Sequence, residues 1–559
     1  MTKLKPLDFA IISQAIVSIA REMGAKLIRS AFSTIVREAQ DCSAAILDRH
    51  GNLVAQAAGN PMQIGSMGTT LRACLDLYPP DTLTEDDFLV NNHPYHGGQH
   101  LQDIYFFNPV FHDGQLVAFC GSIAHHLDIG GGVAGLNASA TEIYQEGIQL
   151  PPARFSMSRD WNGGGFERLL AANVRVPDQT IGDCNAQFAG NSIGAQRLRQ
   201  LCTQYGPGTV MAAMDQIREV TESRMRRAIA AIPDGVYYGE DALDDDGTGN
   251  TPIWIRCKLT VHGDSLEVDF DGTCEQVGTP INAPFASTVS AVMSCLVGVL
   301  LGDDVPFSEG GFQPVRVTAP LGCILNPRHP APVRARQEPC YRAYCSVMKA
   351  LAGALPGRTI ASGFDATLAT CFSRISNQKY RICLEVYGGG FGAGADADGA
   401  SGLAAPLSNS TNTPVEALDM EFDFVRVKAF ELDSGSFGYG EFRGGLGLRR
   451  TYEVLDEAWF TIYADRFRIH PDPLCGGEAG GLSGCKVIRD GKALDVDARQ
   501  GVRVRKGDLV VVTTSGGAGY GDKRKRRPDL IQEDIALGLV PMAPEPLVTP
   551  RPAGATQAL

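Results

Sequence analysis

A β-hairpin between residues 103 and 126 is the feature that most limits how this chain can fold. The segment DIYFFNPVFHDGQLVAFCGSIAHH has two apolar runs around Asp113-Gly114, a dipeptide typical of two-residue hairpin turns. Histidines and carboxylates crowd its open end, in NNHPYHGGQHLQD and AHHLDIGGG, so that six of the ten histidines fall between residues 93 and 126. Histidine is the commonest neutral metal ligand. We therefore predict a metal site at this end of the hairpin.

The register of the hairpin decides which donors meet. In one register Asp103 lies directly opposite His125, with Cβ atoms about 5 Å apart. A shift by one residue places His126 on the face of Asp103 instead, and the spacing alone leaves both registers open. His100 precedes Asp103 by three residues, so a turn there brings both toward one ion.

Histidine and aspartate without cysteine suit Zn²⁺ in a catalytic site, and also Mn²⁺ or Fe²⁺. The alternative is a buried polar network whose members satisfy one another's hydrogen bonds. We favour the metal because so many donors lie within one short stretch of sequence.

The composition limits the class of protein. A chain of 559 residues is long enough for roughly two to four domains, and its 44% hydrophobic and 20% charged residues are ordinary for a soluble globular protein. A net charge of −13 argues against general binding to nucleic acid or to an anionic membrane. The 15 cysteines form no C-x-x-C pair and no signal peptide is evident. Reduced thiols in the cytoplasm are the expected state.

Hydrophobic periodicity predicts a mixed α+β, multidomain architecture. Helical patterns occupy residues 7–29, 183–231, 286–302 and 340–355, whereas short strands and glycine dominate from about residue 380. The predicted divisions are a helix-containing, metal-binding catalytic domain at 1–232, a middle α+β domain at 233–380, a β-rich C-terminal domain at 381–530 and a partly disordered tail at 531–559. The glycine-rich segments 388–399 and 515–521 lack the Lys-Ser/Thr of a P-loop and are predicted to form tight turns.

Eight ordered motifs resemble the hydantoinase B/oxoprolinase family and cover nearly the whole chain. They are DCSAAILDRHGNLVAQ, PMQIGSMG, NNHPYHGGQHLQDI, AHHLDIGG, EIYQEGIQLPP, IGDCNAQFAGN, EFRGGLGLRR and SGGAGYGD. The family includes the B-type subunits of ATP-dependent hydantoinases, 5-oxoprolinases and caprolactamases, and related subunits occur in acetone and acetophenone carboxylases.

This resemblance implies a ligand set and a set of partners. It implies that Asp41, His100, Asp103 and His125 bind a divalent metal, which selects the register with His125, and that His126 and Asp128 orient ligands or carry protons. The family usually has histidine where this chain has Gln63. The implied partner is an A-type subunit that carries ATP and Mg²⁺ in an A2B2 hetero-oligomer, and the implied substrate is a small cyclic amide.

Three functional hypotheses follow. The first is hydrolysis of a hydantoin, N-methylhydantoin, 5-oxoproline or lactam ring coupled to ATP cleavage, with this chain as the metal-dependent subunit. The second is a subunit of an ATP-dependent ketone carboxylase, for which the chain is rather short. The third is a structural partner whose metal only stabilises the fold.

Overall fold

The computed structural model describes residues 4–57, 59–63, 65–249, 251–302, 307–408, 410 and 412–540. The helices are α1 (Pro6–Ser30), α2 (Thr34–Arg37), α3 (Ser66–Leu75), α4 (Met157–Asp160), α5 (Gly165–Asn173), α6 (Pro177–Tyr205), α7 (Pro207–Ile229), α8 (Phe285–Leu300), α9 (Gln337–Ala354), α10 (Val415–Glu421) and α11 (Pro528–Ala536).

The strands are β1 (Cys42–Asp48), β2 (Leu53–Gln56), β3 (Asp87–Asn91), β4 (Asp103–His112), β5 (Gln115–His125), β6 (Ala153–Ser156), β7 (Gly235–Leu243), β8 (Ile253–His262), β9 (Ser265–Asp269), β10 (Val315–Thr318), β11 (Leu368–Ser376), β12 (Lys379–Tyr387), β13 (Val425–Leu432), β14 (Leu448–Val454), β15 (Ala458–Tyr463), β16 (Gly484–Arg489), β17 (Lys492–Asp495), β18 (Gly501–Val504) and β19 (Leu509–Thr513).

An antiparallel six-stranded sheet organises the N-terminal region, in the order β2-β1-β5-β4-β3-β6. Helix α1 begins at Pro6, which suits the first turn because its missing N–H needs no partner there. The buried stripe of α1, including Ile16 and Met23, packs with residues of α6 and α7 against one face of the sheet. Helix α3 packs on the opposite face through Met67 and Leu71. Burial of each large aliphatic side chain contributes roughly 1.5–3 kcal/mol to the stability of the fold. This packing holds in place the sheet that carries the histidines.

The remaining three sheets share a second core. Their strand orders are β10-β9-β8-β7, β12-β11-β15-β18 and β13-β14-β19-β16-β17. Helices α8 and α9 pack into the same hydrophobic cluster, which includes residues from Met62 to Val512. The α+β class is thus confirmed, and strands dominate the C-terminal part as predicted.

The predicted domain limits can be placed on these elements. Residue 232 follows the end of α7, whereas residue 380 lies inside the β11–β12 hairpin, near the pair Ser376 and Lys379. The predicted tail begins within α11, and residues 541–559 lie outside the described residues.

The charge-free stretch near 286–302 forms the buried helix α8. Within the described ranges, no helix combines the length and the apolar character needed to cross a membrane. The cytoplasmic location stays a prediction.

The glycine-rich segments pack backbone against backbone instead of forming tight turns. The Gly445 amide donates to Phe391 O, and the Gly517 amide donates to Gly445 O, both at 2.8 Å. A Cβ on Gly517 would lie 1.8 Å from Phe391 O. Of the described glycines in 388–399 and 515–521, only Gly521 has the left-handed backbone of a glycine turn. The tight-turn prediction is therefore wrong for most of these glycines, whose small size permits close contact between chain segments.

Candidate metal centre

A bulge in the β4–β5 hairpin sets the register at the histidine end. Asp113 and Gly114 both have positive φ, 49° and 75°, as the predicted two-residue turn requires. A register shift follows at Val110/Phe111, which marks one additional residue on β5. Beyond this bulge Asp103 pairs with His125. Without it Asp103 would lie opposite Ala124, and His126 would share its face.

Three donors converge at this end of the hairpin. One ligand atom from each of His100, Asp103 and His125 lies within 4.8 Å of the others. His100 Nδ1 is 3.0 Å from Asp103 Oδ2, and His125 Nδ1 is 3.8 Å from Asp103 Oδ1. Two ligand atoms on a tetrahedral ion are about 3.4 Å apart, given metal–ligand bonds of about 2.1 Å. The observed spacings lie on either side of that value.

Asp41 reaches the same place from the start of β1. Its Oδ2 lies 3.8 Å from His125 Nδ1, while its Oδ1 accepts from Asn60 Nδ2 at 2.7 Å and Gln63 Nε2 at 3.2 Å. The preceding Gln40 has a φ of 61°, an uncommon backbone conformation for a residue other than glycine. Asp41 is thus oriented on its far side by two amides, with its second oxygen toward His125.

The electrostatics keep the two histidines in the form that binds metal. Burial, together with the Arg336 guanidinium, lowers the pKa of His100 to about 4. Burial also lowers the pKa of His125, with His100 as the next cause. Both imidazoles are therefore neutral at neutral pH, and a neutral imidazole has a lone pair to donate.

The two carboxylates differ. Burial would raise the pKa of Asp103, but His100 and Arg336 outweigh it and hold that pKa well below its usual range. Burial and the neighbouring Asp103 raise the pKa of Asp41 to about 6. Two carboxylates close together in a buried site repel each other unless a cation lies between them.

Unpartnered buried atoms complete the test of whether a divalent ion fits. Within the described part of the chain, Asp103 Oδ1 and His100 Nδ1 are buried without a hydrogen-bond partner. His100 Nδ1 is close to Asp103 Oδ2 but lacks the alignment of a hydrogen bond. Leaving such groups unpaired costs about 1–3 kcal/mol each. A bound divalent ion would pair these atoms and remove that cost. Zn²⁺, Mn²⁺ and Fe²⁺ all accept such a mixture of nitrogen and oxygen donors.

A cavity of about 60 Å³ opens beside these donors, and a single water needs roughly 10–15 Å³. Asp41, His100 and His125 line one side of it. The segment 334–338, which leads into α9, lines another side, with Leu384 from β12 and Tyr463 from β15. The cavity thus lies between the N-terminal sheet and elements more than 200 residues later in the chain.

His126 and Asp128 have partners elsewhere. His126 Nε2 lies 3.0 Å from Gln187 Oε1 on α6. Asp128 accepts from the Arg175 backbone amide at 2.6 Å and from the Arg175 guanidinium at 3.0 Å. Neither is among the described residues that line the cavity. These contacts hold both side chains outside the cavity lining, and their part in orienting ligands or carrying protons stays a prediction.

The sequence matches the family model described as Hydantoinase B/oxoprolinase over residues 5–523. The chain belongs to this family. It is similar to a putative D-/L-hydantoinase B-type subunit from Pseudomonas sp. (strain NS671), with 30% identity over 563 residues, which cover 97% of this chain and 94% of that protein.

Two solved structures share the fold. The crystal structure of the ATP-dependent caprolactamase from Pseudomonas jessenii matches with a TM-score of 0.88 and 27% identity, covering 96% of this chain and 95% of that one. A nucleotide-free acetone carboxylase structure matches with a TM-score of 0.84 and 17% identity, covering 96% of this chain and 78% of that one. At that identity the second match shows the fold alone.

In this member of the hydantoinase B/oxoprolinase family, sequence reasoning missed the far wall of the cavity. Arg336 donates to Asp103 Oδ2 at 2.8 Å and to Gln99 Oε1 at 3.0 Å. Arg334 and Glu338 lie beside it. The only sequence signal was the run of charges in VRARQE, which by itself resembles a solvated surface.

Proposed function

We propose that this chain is the metal-binding component of an ATP-dependent cyclic amide hydrolase that opens hydantoin, 5-oxoproline or lactam rings. The observation that carries the proposal is the group His100, Asp103 and His125 beside a cavity. Support comes from relatives named as the B-type component of a hydantoinase and the beta component of a caprolactamase. Asp41 is the proposed fourth ligand, and Zn²⁺ suits the donor set best, followed by Mn²⁺ and Fe²⁺.

The chemistry requires activation of the ring, because an unstrained amide is a poor electrophile. Transfer of the γ-phosphoryl group of ATP to the amide oxygen releases ADP and makes the ring carbon a better acceptor. Water then adds to that carbon, the ring C–N bond breaks and the nitrogen takes a proton, which leaves an acyl phosphate. A second water hydrolyses the acyl phosphate to the acid and phosphate. The balance is one amide, one ATP and two waters giving the ring-opened acid, ADP and phosphate.

The residues of this chain have distinct roles in that scheme. A divalent ion held here would supply a Lewis acid and lower the pKa of water. Arg336 holds Asp103 in place through its hydrogen bond. Glu338 lines the cavity, and burial, together with Asp465, raises its pKa to about 8. We propose that Glu338 donates the proton to the ring nitrogen, because a carboxylic acid with that pKa remains largely protonated at neutral pH.

The proposal needs a partner for the first step. The sequence contains no G-x-x-x-x-G-K-[ST] motif, and the relatives are named as one component of a larger enzyme. We therefore assign ATP and Mg²⁺ to an A-type subunit in an A2B2 hetero-oligomer. The activated substrate then reaches the cavity in this chain without meeting bulk water.

The test is ATP-dependent ring opening by the complex purified with its A-type partner. A panel of hydantoin, N-methylhydantoin, 5-oxoproline and caprolactam is assayed for ADP and for the ring-opened acid. The His100→Ala complex is expected to be folded and inactive. Ring opening by this chain alone without ATP contradicts the proposal, and so does unfolding of the His100→Ala chain, which is the expectation for a purely structural metal.

The ketone carboxylase remains the alternative, and its support is a likeness of fold. The same complex is assayed with acetone or acetophenone plus bicarbonate. ATP turnover that depends on the ketone, with no turnover of any cyclic amide, would identify the complex as a carboxylase and rule out the hydrolase.

A further inference from the structure

Arg334 places an unpaired positive charge in the wall of the cavity. Its side chain lines the cavity, and the residue is only 8% exposed. Neighbouring Arg336 forms an ion pair with Asp103 at 2.8 Å. Arg334, by contrast, makes no ion pair with any carboxylate among the described residues, and Tyr463, Glu146 and Asp128 act on it only at longer range.

The backbone around Arg334 is fixed by Glu146. The Glu146 carboxylate accepts from the Arg334 amide at 2.8 Å and from the Val333 amide at 2.9 Å. Burial raises the pKa of Glu146 to about 7, so its negative charge is incomplete at neutral pH. Glu146 therefore positions the main chain of Arg334, whose guanidinium charge acts on His100 and His125 beside the cavity.

A buried guanidinium without a counter-ion is costly. Burial lowers the pKa of Arg334, yet arginine keeps its proton under all ordinary conditions. Breaking a buried ion pair by removing one partner is strongly destabilising, so an anion in the cavity would relieve the imbalance at Arg334. The planar fork of donors in arginine matches the oxygens of phosphate or carboxylate.

The charge of the whole site distinguishes these two anions. Arg334 and Arg336 balance Asp41 and Asp103, so a divalent ion leaves an excess of two positive charges. Glu338 adds little negative charge, because burial raises its pKa to about 8. A phosphoryl dianion neutralises that excess, whereas a carboxylate leaves half of it.

We propose that Arg334 binds the phosphoryl group of a phosphorylated substrate in the cavity beside the metal centre. The inference rests on the proposed function for the source of that group. It also gives this chain a means to select activated substrate over free amide, because an uncharged ring leaves Arg334 unpaired.

The test measures binding of inorganic phosphate to the full, metal-loaded chain by isothermal titration calorimetry at pH 7.5. Arg334→Gln is expected to weaken phosphate binding at least tenfold, and Arg334→Lys is expected to weaken it less because the charge remains. Arg316→Gln is the matched control, since Arg316 is exposed on β10 and 3.7 Å from Glu267. Metal content and circular dichroism are measured for each variant.

Two results overturn the inference. One is unchanged phosphate affinity in Arg334→Gln with metal content and fold retained. The other is acetate binding more tightly than phosphate to the unaltered chain, which assigns the site to a carboxylate. If Arg334→Gln does not fold, unchanged phosphate affinity in Arg334→Met, which keeps an unbranched stem without the charge, has the same force.

Failure of the proposed function gives a different pattern. Suppose that phosphate binding depends on Arg334 but the complex turns over no cyclic amide. The anion site then stands and the hydrolase proposal fails. Full hydrolase activity in the Arg334→Gln complex retains the hydrolase and rejects the anion site.

Discussion

Single side chains decide whether the centre binds metal. Replacing His100 by Ala removes one of three donors within 4.8 Å of one another, so we expect loss of stoichiometric metal with the fold retained. Gln63→Leu removes only an amide that donates to Asp41 at 3.2 Å. Loss of such an outer partner typically weakens metal binding about 10–100-fold. Elemental analysis of the purified variants, with circular dichroism, measures both. Full metal content in His100→Ala contradicts the assignment.

Glu338 gives the protein a pH dependence of known sign. Burial, followed by the charge of Asp465, raises its pKa from 4.5 to about 8. Between these values the folded chain holds a proton that the unfolded chain releases, so the free energy of unfolding falls as pH rises, by up to about 1.4 kcal/mol per pH unit. Its stabilising protonation is complete below pH 4.5 and is lost as pH passes about 8.

Glu338→Gln is therefore expected to lose less stability than the unaltered chain between pH 5 and pH 9. The measurement is the melting temperature across that range, with Glu431→Gln as control because Glu431 is exposed at the end of β13. Parallel pH profiles for Glu338→Gln and the unaltered chain would falsify the assigned shift.

Residues close in sequence were predictable and distant ones were not. Asp103 and His125 belong to one hairpin, and alternation along its strands limited the choice to two histidines. Arg334, Arg336 and Glu338 come from a separate segment. Their arrival at the cavity depends on how α9 packs, and no local periodicity encodes that.

At the scale of elements, backbone contact between glycine segments is a structural requirement. A Cβ on Gly517 would meet Phe391 O at 1.8 Å, so Gly517→Ala must displace main chain and is expected to cost at least about 3 kcal/mol. Gly298→Ala is the control, because Gly298 is exposed in α8 with no atom within 4 Å of its added Cβ.

That control is expected to stabilise α8 by about 0.5–1 kcal/mol. Urea denaturation of both variants measures the difference. Equal stability of Gly517→Ala and the unaltered chain is the outcome that contradicts this packing.

Element types followed from local patterns better than element roles did. The helical patterns at 286–302 and 340–355 became α8 and α9 with small changes of bounds. Glycine was misinterpreted because one residue type serves both turns and close packing. The register at the metal centre was likewise ambiguous, since it depends on a bulge near Val110.

At the scale of the whole molecule, the core does not follow divisions along the sequence. One hydrophobic cluster includes residues of α8 and α9 and of the C-terminal sheets. A limit at residue 380 would separate β11 from β12, which pair from Leu368 and Tyr387 to Ser376 and Lys379. Strands β15 and β18 join the same sheet as β11 and β12, although they lie much later in the sequence. Composition cannot reveal such contacts.

Metal removal tests whether this assembly depends on the centre. The donors belong to the N-terminal sheet, and Arg336 from the segment before α9 bonds directly to Asp103. An ion that binds the folded chain alone adds RT ln(1 + [L]/Kd) to its stability, about 2.7 kcal/mol when free metal is 100 times Kd. Chelation with EDTA is therefore expected to lower the melting temperature by about 2 °C, because the unfolding entropy of so long a chain is large, and added Zn²⁺ should restore it.

The His100→Ala chain provides the matched control, because a chain that no longer holds the ion has nothing for EDTA to remove. Its melting temperature is expected to be the same with and without chelator and to lie near that of the chelated, unaltered chain. An equal EDTA-induced shift in both chains would mean that the stabilising ion binds elsewhere. In that event the neutral histidines and the low-pKa Asp103 belong to a polar network, and the hydrolytic proposal loses its metal.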